Sequence, residues 1–476
     1  LRAMLVNGDI TSSQFAEAKA QRDLHLKAGR RFTRIREPYF FGYVEDLLQQ
    51  EYGTNTVRSG GLKVYTTIAP GLQRAATASI THVLTEATDP SAAVVSIDPR
   101  SGAIRAMVGV SPTRKSNQYN FATSARRQPG STFKPITLTA AVARGMDPFR
   151  TSYLSAPLIY NPDPSGTCAN KVAWCVETYS HSYAGVESVA NATTQSDNTV
   201  YGRLALDVGP ENIVAMARKL GVRTSPLQAY PSITLGTIGV TPLEMASVYA
   251  TLAAGGVYSK PMAITRVVLP NGKDDKSVAW GKPQRERVVA DWVASTVTQV
   301  LHDNMLYGTG TAAHIPNHSD AGKTGTTDSY ADAWFSGYTP RLEATVWIGY
   351  PTAEIPMLNV HGIAVTGGSF PAEIWHSYMT TSIGNRPDVP FPAPVTQPVW
   401  TSWHGQYQYS GSYGLASTTG STSTSTGSAS TSSATTRTQR STTTAPPTAT
   451  TSAPPPVTTT APPATTTEPP PPTVVP

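Results

Sequence analysis

Apolar positions along the chain switch between a period of about 3.6 and short runs bounded by turn residues, which predicts helices interleaved with strands. Thr11 and Gln14 form a capping box ahead of Phe15 and Ala18, and the helical pattern runs through Gln21 to Leu26 and stops near Gly29. From Gly60-Gly61 the pattern turns strand-like: Leu62, Val64 and Thr66 alternate with Lys63, Tyr65 and Thr67, and an Ala-rich helix follows Pro70. Apolar runs at 93–97 and 103–108 flank Asp98-Pro99-Arg100-Ser101-Gly102 and predict a β-hairpin. After Lys134 the positions Ile136, Leu138, Ala140, Ala141 and Ala143 make a helix apolar nearly all round, hence buried, and Pro135 puts its start within a residue or two of Lys134. Further helices are predicted over Glu187 to Thr194, Thr199 to Leu206, Asn212 to Leu220 and Pro242 to Ala254, the last two stopped by Gly221 and Gly255-Gly256. Gly322 to Thr327 precedes alternating runs at 333–338 and 344–350, as an edge strand leading into two central ones. The sum is an α/β (α+β) fold in which an antiparallel sheet is flanked by helices and accompanied by an all-helical subdomain.

Composition divides the chain. Hydrophobic residues are 39 % and charged residues 14 % of 476, a dilution that comes from a Ser/Thr/Pro tail rather than from a polar fold. After Trp400, Trp403, Tyr407, Tyr409 and Tyr413 this tail has almost nothing to bury, so residues 399–476 are expected to be disordered and partly polyproline II. Its expected role is a spacer, with Ser/Thr glycosylation or partner docking as alternatives. A net charge of +6 without a dense Lys/Arg run gives no sign of nucleic acid and admits an anionic surface or substrate. Arg30, Arg31, Arg34 and Arg36, followed by Tyr39, Phe40, Phe41 and Tyr43, are expected to pack with a solvated charged face, a membrane surface or a neighbouring domain being the other reading. No apolar run is long enough to span a bilayer, and a chain opening at Leu1 is expected to be part of something longer. Cys168 and Cys175 lack the further ligands a metal site needs, since His181 alone does not complete one. A short-loop disulfide in an oxidising compartment, contributing roughly 2–3 kcal/mol, is the expected arrangement, against two buried thiols.

Three short clusters carry the candidate chemistry. In Gly130-Ser131-Thr132-Phe133-Lys134, a serine and a lysine one helical turn apart place a hydroxyl and an amine on one face, as a nucleophile and its base. Ser196-Asp197-Asn198 lies between two predicted helices, where a hydroxyl and a carboxamide can be aimed into one cleft, although these residue types are also ordinary helix caps. Gly322-Lys323-Thr324-Gly325-Thr326-Thr327 combines a cation, hydroxyls and a side-chain-free position, although it also fits a Gly/Thr-rich turn. Ideal pleating sets Lys323 and Thr326 on opposite faces of that strand.

Ser-x-x-Lys, Ser-x-Asn and Lys-Thr-Gly in that order form the set found in β-lactamases and penicillin-binding proteins. The sequence resembles the transpeptidase domain of class A (bifunctional) penicillin-binding proteins over roughly residues 35–385. Supporting stretches are 61–68, Arg127-Gln128-Pro129, Thr241-Pro242-Leu243-Glu244-Met245-Ala246 and Asp332-Ala333-Trp334-Phe335, while Ala69 and Val110 depart from the family's pattern. The Thr/Pro-rich tail resembles actinobacterial members. The resemblance implies a penicillin-binding/β-lactamase-like fold divided into 1–60 as a connector after a missing glycosyltransferase domain, 61–398 as the transpeptidase domain, and the tail. It also implies a serine D,D-transpeptidase without cofactor or metal, acting on D-Ala-D-Ala stem peptides and acylated by β-lactams. Its full-length form would be membrane-anchored on the extracytoplasmic side, with cell-wall hydrolases or division proteins as further partners. Ser131 would be the nucleophile, Lys134 its base with a pKa lowered by burial and by Lys323, Ser196 the proton relay and Asn198 the holder of the peptide amide. Lys323 would be a further catalytic residue, Thr324, Gly325, Thr326 and Thr327 would bind substrate, the last two at the terminal carboxylate, and the backbone N–H groups of Ser131 and Thr326 would form the oxyanion hole. Two other classes remain open: a hydrolase, either D,D-carboxypeptidase or β-lactamase, and a non-catalytic β-lactam-binding scaffold. The Glu-x-x-x-Asn loop that a class A β-lactamase would use is absent between Thr199 and Thr241.

Overall fold

Every residue of the two strands after the Lys-Thr-Gly stretch is buried, because helices cover the central sheet on both faces. The computed structural model describes residues 1–21, 35–59, 61–112, 119–161, 168 and 173–410. Its main sheet has five antiparallel strands: β1 (Ser91–Ile97), β2 (Ile104–Val110), β3 (Ala321–Thr326), β4 (Asp332–Tyr338) and β5 (Glu343–Gly349), in spatial order β3-β4-β5-β1-β2. The hairpin expected at 93–108 is β1–β2, and β3 is an edge strand as its pattern suggested, with Lys323 opposite Ser336 and Gly325 opposite Trp334.

Helix α1 (Pro38–Tyr52) buries Phe40, Val44 and Leu48, spaced four apart, in a cluster with Val95, Ile97, Ile104 and Met107 of the hairpin. These residues, expected to belong to a connector ending at residue 60, therefore share the core of the sheet. α2 (Pro70–Val83) and the last helix, Phe370–Ile383, cover one face, where Ala76, Ile80 and Trp375 meet Val94, Val108, Phe335 and Val346. On the other face lie α3 (Lys134–Val142), α4 (Val189–Gln195), α5 (Asn198–Val208), α6 (Pro242–Ala253) and α7 (Asp291–Tyr307), which join Trp334, Tyr338 and Trp347 in one cluster. Asn304 of α7 donates to Gly322 O at 2.9 Å and so fixes the edge strand to this helical layer.

Several local expectations shift. Gly130–Phe133 is a 3₁₀ turn and the α-helix begins at Lys134, so Pro135 falls in the first turn, where its missing N–H costs nothing. Glu187, expected to open a helix, lies instead on the strand Gly185–Ser188, and Ser188 caps α4. The tail does not begin at residue 399: Thr401 N donates to Gly145 O, Trp403 Nε1 to the Tyr153 hydroxyl, and Tyr407 N to Asp207, all within 3.1 Å. The capping box at Thr11 forms, but the rest of that helix after Gln21, Arg30, Arg31 and Arg34, and the tail from residue 411, lie outside the described residues. Cys168 and Cys175 are disulfide-bonded, and Cys175 lies on a strand (Trp174–Val176) paired with Leu158–Tyr160.

Two side chains tie the segment before Ser131 to the sheet. Trp334 Nε1 donates to Gln128 O at 2.8 Å, and Arg127 Nε pairs with Asp332 Oδ1 at 2.7 Å, where Trp347 Nε1 also donates. Burial pushes the Asp332 carboxyl upward, and Arg127 opposes this. Arg127→Met is expected to leave that buried carboxylate without its cation and to cost about 3–5 kcal/mol, read as a lower urea midpoint at unchanged slope.

Candidate active site

Gly130 adopts φ 54° and lies so close to β3 that a Cβ there would stand 2.7 Å from Thr326 O; a Cβ on Gly325 would stand 2.3 Å from Pro129 O. Backbone thus meets backbone, and the Ser131 turn rests directly on the Lys-Thr-Gly strand. In a 3₁₀ turn residues three apart eclipse, which brings Ser131 and Lys134 to one side. The Ser131 N–H sits in the first turn, with no intrahelical carbonyl in reach.

The third segment arrives through the junction of α4 and α5. Ser196 ends α4 in the left-handed region, at φ 58° and ψ 37°, a conformation disfavoured for any residue with a Cβ and found preferentially at functional sites. This turn brings its carbonyl and hydroxyl to Lys134. The Lys134 Nζ donates to Ser196 O at 2.6 Å and to Asn198 Oδ1 at 2.8 Å, and lies 3.3 Å from Ser196 Oγ. Asp197 is the ordinary cap: its carboxylate accepts from Thr199 N, Val200 N and the Ser155 hydroxyl. Lys323 Nζ donates to Ser196 Oγ at 2.9 Å and has Thr324 Oγ1 and Thr309 Oγ1 at 3.2 and 3.3 Å.

Both lysines are fully buried, and no described carboxylate forms an ion pair with either. Burial brings Lys134 down to about 7, against the opposing charges of Asp197 and Asp328. Burial, and then the charge of Lys134, push Lys323 well below the usual lysine value. Burial is the first cause of the lowering at both lysines, and two amines at one hydroxyl each disfavour the other's charged form. A neutral Lys134 has two N–H donors, which Ser196 O and Asn198 Oδ1 consume, and one lone pair left for a hydroxyl.

Ser131, Ser196, Asn198, Thr324, Thr326 and Thr327 line one cavity of about 870 Å³. Lys134 and Lys323 lie behind its surface, and Gly325 presses on Pro129 rather than on the cavity. The pleat does put Lys323 and Thr326 on opposite faces; because β3 is an edge strand, the cavity is lined from its free side. Thr326 Oγ1 accepts from Gly367 N at 3.0 Å, and Thr327 Oγ1 accepts from Asp332 N at 3.1 Å, so the second hydroxyl closes a turn. The Ser131 hydroxyl bonds to no described residue. The expected direct contact with Lys134 is not formed, because the Ser196–Asn198 turn already holds the amine; such contacts often tighten only when substrate is bound.

Sequence reasoning missed Thr309, which shares a hydrogen bond of 2.7 Å with Thr324, and the loop Thr366-Gly367-Gly368-Ser369, which also lines the cavity. A paired glycine between Thr and Ser just before an apolar helix was the available signal for that loop. Thr309 offered none.

A serine and a lysine on one turn, a second serine between two buried lysines, and a glycine-interrupted edge strand define the active-serine class of penicillin-interacting proteins. The family profile of the penicillin binding protein transpeptidase domain matches residues 92–357, more than half of the chain, and the chain belongs to that family. It is 32 % identical over 382 residues to penicillin-binding protein 2D of Bacillus subtilis, covering 77 % of this chain and 52 % of that protein. It is 32 % identical over 362 residues to penicillin-binding protein 1A of Mycobacterium tuberculosis, covering 71 % and 42 %. The chain thus spans about half or less of the length of these curated relatives. Among solved structures, PonA1 from Mycobacterium tuberculosis in complex with penicillin V is 30 % identical with a TM-score of 0.66, covering 76 % of this chain and 97 % of that one. The fold and the class A resemblance drawn from the motifs agree with these relatives.

Gly325→Ala is expected to drive a methyl into Pro129 and move the Ser131 turn, slowing labelling by a fluorescent penicillin at least about tenfold, as read by gel fluorescence over time.

Proposed function

We propose that the chain is the acyl-transfer part of a peptidoglycan D,D-transpeptidase, and that Ser131 forms an acyl-enzyme with the penultimate D-Ala of a stem peptide. The observation that carries this is Lys134: a fully buried amine without a carboxylate partner among the described residues, its pKa brought down to about 7 by burial, three residues after a cavity-wall serine whose hydroxyl bonds to no described residue. Ser131 Oγ attacks the carbonyl while its proton passes to Lys134, and the tetrahedral oxyanion takes the Ser131 and Thr326 N–H groups, each worth about 3–4 kcal/mol. The proton then passes by Ser196 to the departing D-Ala amine, Ser196 lying between Lys134 and Lys323. An amine from a second stem peptide displaces Ser131 in the reverse order and leaves a cross-link. The Thr324 and Thr326 hydroxyls take the donor carboxylate, with the Lys323 amine behind them at 3.2 Å from Thr324 Oγ1. β-Lactams, as cyclic amides, acylate the same hydroxyl.

The proposal includes an extracytoplasmic location, which the disulfide favours because such bonds persist in oxidising compartments. No helix among the described residues is long and apolar enough to cross a membrane. A membrane anchor and a glycosyltransferase domain in the remaining length of the full protein, and a spacer role for the Thr/Pro-rich segment after residue 410, belong to the same proposal.

Labelled penicillin should form a stable adduct that Ser131→Ala abolishes, while incubation with separate donor and acceptor stem peptides should yield cross-linked product and free D-alanine. Rapid turnover of the adduct would instead indicate a hydrolase, and a stable adduct without peptide transfer a scaffold. The acylation rate also has a predicted sign with pH. Lys134 must be neutral to accept the proton, so the rate should be flat above about pH 8 and approach a fall of about tenfold per unit below about pH 6, as measured by stopped-flow acylation between pH 5 and 9.

A further inference from the structure

The cavity carries a charge pattern that this mechanism leaves unused. Glu177, Glu187, Asp197 and Asp328 line it and no described lysine or arginine does, in a chain of net charge +6. Lys134 and Lys323 sit behind Ser196, with their amines already bonded. Glu177 has His181 at 2.7 Å, and Asp197 is saturated by the start of α5 and by Ser155. Glu187 differs from all of these. It is 7 % exposed, its Oε2 accepts from Asn191 Nδ2 at 2.6 Å, and its buried Oε1 has no hydrogen-bond partner among the described residues. The neighbouring Asp197 carboxylate brings acceptors and no donor, so the pair needs either a shared proton or a cation.

We propose that Glu187 anchors a subsite for a primary ammonium group of the peptide substrates, with Asp197 behind it and Glu177 nearer the surface. This rests on the transpeptidase reading, in which amines arrive at the cavity twice, as acceptor nucleophile and as amino side chain of the donor. Glu187 stands on the strand that runs into α4, and α4 ends at Ser196, so a group held there lies on the helical wall of the cleft. Burial, and then the charge of Asp197, hold the Glu187 carboxyl up at about 7, and an ammonium would draw it into the ionised form. An ammonium provides three donors on a compact cation, and the free Oε1 takes one of them.

The test compares Nα-acetyl-Lys-D-Ala-D-Ala with its Nε-acetylated form as donors, by first-turnover release of D-alanine. It also compares isotopically labelled D-alanine, read by label exchanged into the donor, with hydroxylamine, which is uncharged at neutral pH, as acceptors, by the concentration giving half-maximal transfer. The wild type is expected to favour the charged member of one of these pairs by at least about tenfold, and Glu187→Gln to bring that ratio within about twofold. Loss in the donor arm assigns the subsite to the donor side chain, and loss in the acceptor arm to the attacking amine. A wild type indifferent to charge in both arms overturns the subsite, whatever the variant does, and leaves a shared proton between Glu187 and Asp197. An unchanged ratio in Glu187→Gln also overturns it. Penicillin V labelling of the wild type reports separately on Ser131: if no adduct forms, the transpeptidase reading fails, and the subsite fails with it.

Discussion

Two amines reach a single hydroxyl in a dry interior, and the site is built around that crowding. Lys134 Nζ and Lys323 Nζ stand 3.3 and 2.9 Å from Ser196 Oγ, so they are no more than about 6 Å apart, where two full charges repel by about 3 kcal/mol at an effective dielectric near 20. Desolvation adds to the repulsion, and no described carboxylate pairs with either amine. Each amine therefore disfavours the charged form of the other. In the proposed acyl transfer one lysine must be neutral to take the Ser131 proton, and burial favours that form at Lys134.

Holding the amines in place falls to the backbone. Gly130 and Gly325 allow the Ser131 turn and the edge strand to touch with no side chain between them, and Ser196 accepts a left-handed backbone so that its carbonyl can take a lysine hydrogen. Around this contact, Arg127 with Asp332 and Trp334 with Gln128 bind the segment before Ser131 to the second strand of the sheet. These four residues lie in the stretches that supported the family resemblance. Their part is to fix the register between a loop and a strand some two hundred positions apart, and Asp332 N also donates to the cavity-lining Thr327 hydroxyl.

The three motifs and the sheet were legible because both rest on local spacing. Apolar runs broken by Pro/Gly turns mark strands, and Ser-x-x-Lys marks a turn wherever it occurs. What could not be read is what depends on the partner segment. Nothing in Gly185-Val186-Glu187-Ser188 distinguishes a strand from the first turn of a helix until Ser152–Ser155 pairs with it. The residues after Trp400 looked like the thin start of a tail, but Gly145 takes Thr401 N, Tyr153 takes Trp403 Nε1, Asp207 takes Tyr407 N and Ser152 takes Tyr409 N. Spacing put Ser131 and Lys134 on one turn but could not show what holds the amine, since the acceptors of Lys134 come from a turn about sixty residues away.

Asp197 shows how capping and catalysis constrain each other at that turn. As the cap of α5 it meets the positive end of the helix with a negative charge, and the same charge raises the pKa of Lys134 against the lowering by burial. A neutral cap would leave Lys134 easier to deprotonate. The carboxylate, however, also accepts from the Ser155 hydroxyl, and Ser155 Oγ accepts in turn from Ala184 N, so it fixes the strand pair that leads into α4 and Ser196. The basicity of Lys134 is therefore a compromise: the group that makes the Ser196 turn rigid enough to hold the amine also keeps the amine from losing its proton too readily, and burial has to outweigh it.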